Sequence, residues 1–214
     1  MYDLHTHTIM SDGELLPTEL IRRAAVLGYT VVGITDHADA SNIDSLIAAT
    51  EKVRTSAAAY GVRLLNGVEL THIPPAEIAD LAARAKAAGA DIVIVHGETT
   101  VEPVAPGTNA AACTCPDVDV LAHPGLITPE DARQAAAHGI ALEITARGGH
   151  NRTNGHIVQL ARMTGCRLVV NSDGHAPGDL MTAADRMAIA RGAGMTADEC
   201  AAALDTAALA VLPR

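Results

Sequence analysis

Ten histidines stand in a 214-residue chain that has three tyrosines, no phenylalanine and no tryptophan. Most of them fall beside acids, at spacings that can gather ligands. His5 and His7 are two residues apart, as are Asp173 and His175; Asp36 precedes His37; Glu69, His96 and His123 each close a short apolar run. In extended backbone, residues i and i+2 point to the same side, so each two-apart pair can present both members to one ion. Imidazoles mixed with carboxylates suit Zn, Mn or Fe(II) rather than the oxygen shells of Ca or Mg. His5, His7, His37, His96, His123 and His175, with Glu69, Asp173 and Asp12, exceed the needs of one tetrahedral ion. Two or three divalent transition-metal ions are therefore expected, with Glu69 a natural bridging carboxylate. A single His-x-His, a His-Pro-Gly or an Asp-Gly means little alone, since each is common in strands and turns. Their coincidence is different, because burying so many polar groups without a cation would cost several kcal/mol.

The elements that must position these residues alternate regularly. Strand candidates are Tyr2 to Leu4, Val31 to Thr35, Arg63 to Glu69, Asp91 to Val95, Val118 to Ala122, Ile140 to Thr145 and Leu168 to Asn171. Helix candidates between and after them are Pro17 to Leu27, Ile43 to Tyr60, Pro75 to Ala88, Asn109 to Ala112, Pro129 to His138, Asn154 to Thr164, Leu180 to Gly192 and Ala197 to Leu209. Caps such as Thr128-Pro129-Glu130-Asp131 open some, and glycines such as Gly139 and Gly165 close others. This alternation predicts an α/β fold with a parallel sheet, as a single domain over residues 1–214. About seven β/α units without a Gly-rich dinucleotide fingerprint favour a closed barrel over a doubly wound sheet, the alternative. The ligand candidates then fall at the carboxyl ends of the strands, the face on which barrel enzymes place their sites.

Composition bounds the partners. With 49% hydrophobic and 19% charged residues the chain can build one sizeable core, from Ala, Val, Leu and Ile. A net charge of -10 and scarce aromatics argue against nucleic acid, which is met by basic surface and stacking rings. No apolar run reaches the length of a membrane span and the N-terminus lacks signal-peptide character, so a cytoplasmic protein with no membrane partner is expected. Cys113, Cys115, Cys166 and Cys200 form no disulfide framework, and Cys113 with Cys115 lacks the second pair of a zinc knuckle.

His5-Thr6-His7-Thr8 with Ser11-Asp12-Gly13, Ile34-Thr35-Asp36-His37, Gly67-Val68-Glu69, Val95-His96, Ala122-His123-Pro124 and Asn171-Ser172-Asp173-Gly174-His175 resemble, in order, the motif series of the PHP (polymerase and histidinol phosphatase) superfamily. The resemblance implies a distorted (β/α)7 TIM-like barrel and a trinuclear centre. One ion would be held by His5, His7, Glu69 and Asp173. A second would be held by Glu69, His96 and His123, and a third by His37, His175 and Asp12, where some relatives have His. Asp36 is expected to orient a neighbouring histidine.

The implied chemistry is hydrolysis of a phosphate monoester of a small metabolite, of the histidinol-phosphatase type, by a hydroxide held between the ions. Arg147, after the sixth strand, is the candidate cation for the phosphate, or else a solvated loop residue. His150, in the same Gly-rich loop, would protonate the leaving alkoxide or touch the substrate, or else lie on the surface. Residues 97–102 could line the site, and His72, His138 and His156 receive no role. The superfamily also contains nucleotide and oligonucleotide phosphoesterases. Some of its barrels are non-catalytic structural or RNA-associated subunits, usually after losing ligands.

Overall fold

The computed structural model of the protein describes residues 1–206 and 209. Its strands are β1 (Tyr2–Asp3), β2 (Val31–Ile34), β3 (His37–Ala38), β4 (Arg63–Leu70), β5 (Ile92–His96), β6 (Val120–Ala122), β7 (Ala141–Thr145) and β8 (Leu168–Asn171). Their order is β1, β2, β4, β5, β6, β7, β8, with β3 also against β4, and every pairing is parallel. β2 and β3 are one interrupted stave, since Val31 pairs with Arg63 and His37 with Glu69 at a constant offset. Seven staves result. Past the strand ends the ring is drawn together where His7 N–H donates to Gly174 O at 2.8 Å and Gly174 N–H to His5 O at 3.3 Å. Leu4 N–H adds a bond to Asn171 Oδ1 at 3.0 Å. The fold is a nearly closed TIM-like (β/α)7 barrel, as expected, and not the doubly wound alternative.

Alternation along the strands sorts side chains between two buried layers. Leu65, Ile92, Ile94, Val120, Ala122, Ala141 and Val169 form one apolar cluster. The intervening Val68, Leu70, Val93, Val95, Leu121, Leu142, Ile144 and Val170 pack in another with helix residues such as Ile78, Ala82, Ala132 and Ile157. By the same period of two, Glu69, His96, Glu143 and Asp173 share the parity of the first cluster and continue it toward the carboxyl end. The staves approach closely there: at Gly33 a Cβ would lie 2.5 Å from Leu4 O, and Thr6 Oγ1 donates to Gly33 O at 2.7 Å.

Helix boundaries move where a cap or ion pair decides them. The helix expected over 43–60 breaks into Ile43–Glu51 and Arg54–Ala59. At the break Arg54 bonds the Glu51 carboxylate, Asp91 Oδ2 and Leu64 O. The helix expected from Leu180 starts at Ala183, because Thr182 caps it by accepting from Asp185 N–H at 3.2 Å. The last helix is Ala197–Leu204; residues 207 and 208 of the longer expectation lie outside the described residues. Pro129–His138 runs between Thr128 and a left-handed Gly139, as read from the sequence.

Beneath the site lie two buried groups of opposite charge, Asp3 and Arg186. Asp3 accepts from Ser172 N–H at 3.1 Å and His5 N–H at 3.2 Å, and burial raises its carboxyl to about 6 against the pull of Ser172 and Arg186. Arg186, only 2% exposed, lies 4.3 Å over the Tyr2 ring and donates to Val170 O at 3.1 Å. Removing Arg186 would take away the positive charge that favours the buried Asp3 carboxylate. Arg186→Ala is therefore expected to cost about 3 kcal/mol, roughly 6–12 °C in Tm for a chain of this size, in thermal unfolding at neutral pH. The folded pKa of Asp3 lies above its ordinary 3.8, so its ionisation weakens the fold as pH rises from 3.8 through about 6 and adds no further loss above that. The loss should accordingly shrink at acid pH; a Tm equal to that of the parent at neutral pH would contradict this role.

Candidate metal centre

Glu69 stands at the middle of the carboxyl end, fully buried near the end of β4. Its Oε1 lies 3.4 Å from His5 Nε2 and 3.5 Å from His123 Nε2; its Oε2 lies 2.8 Å from His37 Nδ1 and 3.7 Å from His7 Nε2. Asp173 is the second hub, 3.3 Å from His7 Nε2, 3.6 Å from His123 Nε2 and 3.5 Å from His175 Nδ1. Asp12, half-exposed at the mouth, lies 3.4 Å from His37 Nε2 and 3.3 Å from His175 Nε2. All nine sequence-predicted ligands thus converge. Ligand atoms within 4.8 Å of one another form the sets His5–His7–Glu69, His5–His123–Asp173, Glu69–His96–His123 and His7–Asp12–His37–His175. The last set is larger than expected, because it also takes in His7, which belongs to the inner set as well and whose ring stacks on His175 at 4.0 Å.

Backbone strain accompanies the convergence. His123 has φ 28° and Asp173 φ 53°. Such conformations cost of order 1–3 kcal/mol for residues other than glycine and persist where surrounding structure over-determines them. Both residues leave their strands, β6 and β8, at these turns, which is how the chain aims two side chains from strand ends into the barrel mouth.

The electrostatics ask for a cation. Burial opposes charge on the rings, and it is overcome only where carboxylates crowd in. Glu143, Glu69 and Asp173 hold His5 well above 6.5, and Asp12 and Glu69 bring His37 up to about 10. Burial prevails at His7 and at His96, which falls to about 4. Glu69 and Asp173 stay below the usual carboxylate range despite burial, held there first by His5. His5 Nε2, both ring nitrogens of His7, His123 Nδ1 and Glu69 Oε1 are buried with no hydrogen-bond partner. Orphaned polar atoms of this kind are costly, and divalent ions displacing the protons would satisfy them. An imidazole and carboxylate donor set of this composition fits Zn, Mn or Fe(II).

Glu143 is the principal residue that sequence reasoning missed. None of the ligand candidates read from the sequence lies on the sixth expected strand, yet β7 carries this fully buried acid at its third residue. Its Oε1 meets His5 Nδ1 at 2.8 Å and accepts from Asn171 Nδ2 at 2.8 Å, while Oε2 accepts from His123 N–H at 3.1 Å. A carboxylate behind one ring nitrogen fixes the tautomer and leaves the other free as a ligand. The signal was available: a lone acid inside an otherwise apolar strand, on the parity of Ala141.

Asp36 does not orient a histidine, as was expected. Its carboxylate accepts from Thr8 N–H at 2.6 Å, Thr8 Oγ1 at 2.7 Å and Ser11 Oγ at 2.7 Å, and so pins the loop that carries Asp12. Arg147 and His150 reach the same cleft, a cavity of about 290 Å³ lined also by Asp12, His37, His96 and Glu102. Arg147 Nη1 lies 3.4 Å from Asp179 Oδ2, and buried His150 points Nε2 to Glu102 Oε1 at 3.3 Å. Glu102 is the residue by which the 97–102 segment lines the site. His72, given no role from sequence, also borders the cleft. His138 sits on an exposed helix end, and His156 bonds Ile127 O at 2.8 Å away from the centre.

Known proteins place this architecture. The family model described as RNase P subunit p30 matches residues 1–214. An uncharacterized protein of Methanocaldococcus jannaschii is 48% identical over 200 residues, 92% of each chain. Ribonuclease P protein component 3 of Methanosarcina mazei is 28% identical over 220 residues, 96% of this chain and 85% of that one. A 5'-3' exoribonuclease of Haemophilus influenzae is 40% identical over 70 residues, only 33% of this chain and 23% of its own. The solved structure of a candidate histidinol phosphatase from Listeria monocytogenes superimposes with a TM-score of 0.62 at 13% identity, over 86% of this chain and 99% of that one. That likeness, at 13% identity, shows the barrel fold alone, and the family match is to an RNase P subunit rather than to a histidinol phosphatase. No described helix is long and apolar enough to cross a membrane. By the match along its whole length, the chain belongs to the RNase P subunit p30 family.

Proposed function

We propose that this protein is a metal-dependent phosphoesterase that hydrolyses a phosphate monoester at a centre of two or three divalent transition-metal ions. One observation carries the reading: buried, unpartnered nitrogens of His5, His7 and His123 converge with Glu69 Oε1 at the mouth of the barrel. Bound ions would supply Lewis acidity toward both the phosphate and the attacking water. His5, His7, Glu69, His96, His123 and Asp173 would hold the inner ions, and Asp12, His37 and His175 the outermost. The chain's own groups do the rest. Asp179 steadies the Arg147 guanidinium at the cleft wall, where it can grip phosphate oxygens. His150 Nε2 would deliver the proton to the departing alkoxide as the P–O bond breaks and the water oxygen bonds phosphorus. The cleft of about 290 Å³ admits a phosphate with a small alcohol, which favours a phosphorylated metabolite.

A second reading rests on the family itself: an RNA-associated subunit, with or without turnover, or a phosphoesterase acting on nucleotide ends. The net charge of -10 does not exclude RNA, because it is a sum over the chain and a partner meets only local surface. The Methanosarcina relative's name and the partial match to an exoribonuclease support this reading.

A panel of small phosphomonoesters, a nucleoside monophosphate and a 5'-phosphorylated oligoribonucleotide, assayed with Mn, Zn and Fe(II) separately, tests both. Turnover of a monoester that vanishes on chelation is expected; full-rate hydrolysis by metal-free protein would sink the proposal, and metal binding without any turnover would favour the subunit. Arg147→Ala is expected to raise KM roughly tenfold, consistent with loss of a charged hydrogen bond, and an unchanged KM would remove Arg147 from the site. Glu143→Gln sets an amide donor against Asn171 Nδ2 or His123 N–H and should weaken metal affinity by roughly 10–100-fold in chelator competition; affinity equal to the parent's would contradict its role behind His5.

A further inference from the structure

Beside the converging sets just described, and sharing His96 with them, the rim of the cleft gathers a second group of ligand-type side chains. Glu102 Oε2 lies 3.1 Å from His96 Nε2 and 3.2 Å from His72 Nε2, and Glu102 Oε1 lies 3.3 Å from His150 Nε2. The three rings come from separate stretches of chain, His72 after β4, His96 at the end of β5 and His150 after β7. The ligand atoms of His72, His96 and Glu102 lie within 4.8 Å of one another. Atoms bound to one zinc ion at about 2.0–2.1 Å in a tetrahedron stand roughly 3.3 Å apart, close to the separations seen here.

Two further observations point to a cation at this place. His96 Nδ1 lies 3.2 Å from Gly97 O, an acceptor that requires N–H on that side. With Nδ1 engaged there, Nε2 is the ring nitrogen left for a ligand, and it is aimed at the Glu102 carboxylate 3.1 Å away. His72 is held at φ 53°, the left-handed region that few residues other than glycine adopt. It shares this property with His123 and Asp173 and with no other described non-glycine residue. The rings of His72 and His96 are 5.0 Å apart, so the strained turn sets His72 beside a ligand of the centre.

We propose that His72, His96 and Glu102 bind a divalent transition-metal ion at the rim of the cleft, at a position separate from the central ones. With three protein ligands it leaves a coordination place open to water or an incoming anion. The half-exposed His72 and Glu102 set this position between the centre and solvent, and Glu102 Oε1 is steadied by His150. His96 serves one ion at a time, so the rim position competes with Glu69–His96–His123. The proposal touches the metal-centre reading through His96 alone.

Anomalous diffraction from zinc-soaked crystals of the parent protein, Glu69→Gln and Glu69→Gln/His72→Ala tests it; His123→Ala replaces Glu69→Gln if that variant fails to fold. In Glu69→Gln, where His96 is released from its inner partner, a zinc peak is expected within about 2.0–2.2 Å of His72 Nε2, His96 Nε2 and a Glu102 oxygen. The peak should vanish in the double variant, with one equivalent of zinc lost by elemental analysis. Zinc among the central ligands with a bare rim in every crystal would overturn the rim site and leave the centre standing, with Glu102 reduced to an ion-pair partner of histidine. Zinc at the rim with none among the central ligands would do the reverse.

Discussion

The carboxylate of Glu143 is the constraint on which the mouth of the barrel depends. Three staves meet on it: His5 beyond β1, the His123 backbone beyond β6 and the Asn171 side chain at the end of β8. A buried carboxylate is tolerable only when every oxygen is met by a donor, and here each donor belongs to a segment that also carries a ligand. The same bonds therefore hold the barrel together near its closure and aim His5 and His123 at Glu69. Asn171 extends the linkage, because its Oδ1 accepts from Leu4 N–H while its Nδ2 serves Glu143. Below it, Asp3 ties the His5 and Ser172 backbones with Arg186 close by, so a ladder of buried charge runs from beneath the site to its surface.

This design concentrates cost at the carboxyl end. His123 and Asp173 adopt left-handed backbone, ring nitrogens go unpartnered, and neighbouring imidazoles cannot all be protonated at once. His5 is driven up and His7 driven down although their rings are only 5.0 Å apart. An apolar core would remove all of these penalties, and the chain has one just beneath, from Leu65 to Val169. A set of groups this unfavourable by itself, on rigid staves at the open face of a barrel, is what a cation-binding site looks like before its cations are considered.

Much of this was legible because a parallel barrel converts sequence order into spatial convergence. His5, Glu69, His96, His123 and Asp173 stand at strand ends far apart in sequence, and the fold alone brings them together. Glu143 was not legible by the same rule, since it lies within β7 rather than at its end and spends its oxygens on His5, His123 N–H and Asn171. Asp36 was placed in the right neighbourhood with the wrong partner, because adjacency to His37 is weaker than the hydrogen bonds offered by Thr8 and Ser11. Glu102 and His72 sit on irregular backbone whose course no periodicity encodes. Charge is the weakest guide: a chain-wide balance argues against nucleic acid, and the match to a family named for an RNase P subunit leaves that argument doubtful.

Native mass spectrometry of the intact chain, prepared with micromolar zinc or manganese at neutral pH, counts the ions that these groups hold. The account requires a mass excess of at least two divalent ions per chain, retained through desalting and lost to a strong chelator. A chain that flies at its bare mass under those conditions would contradict it.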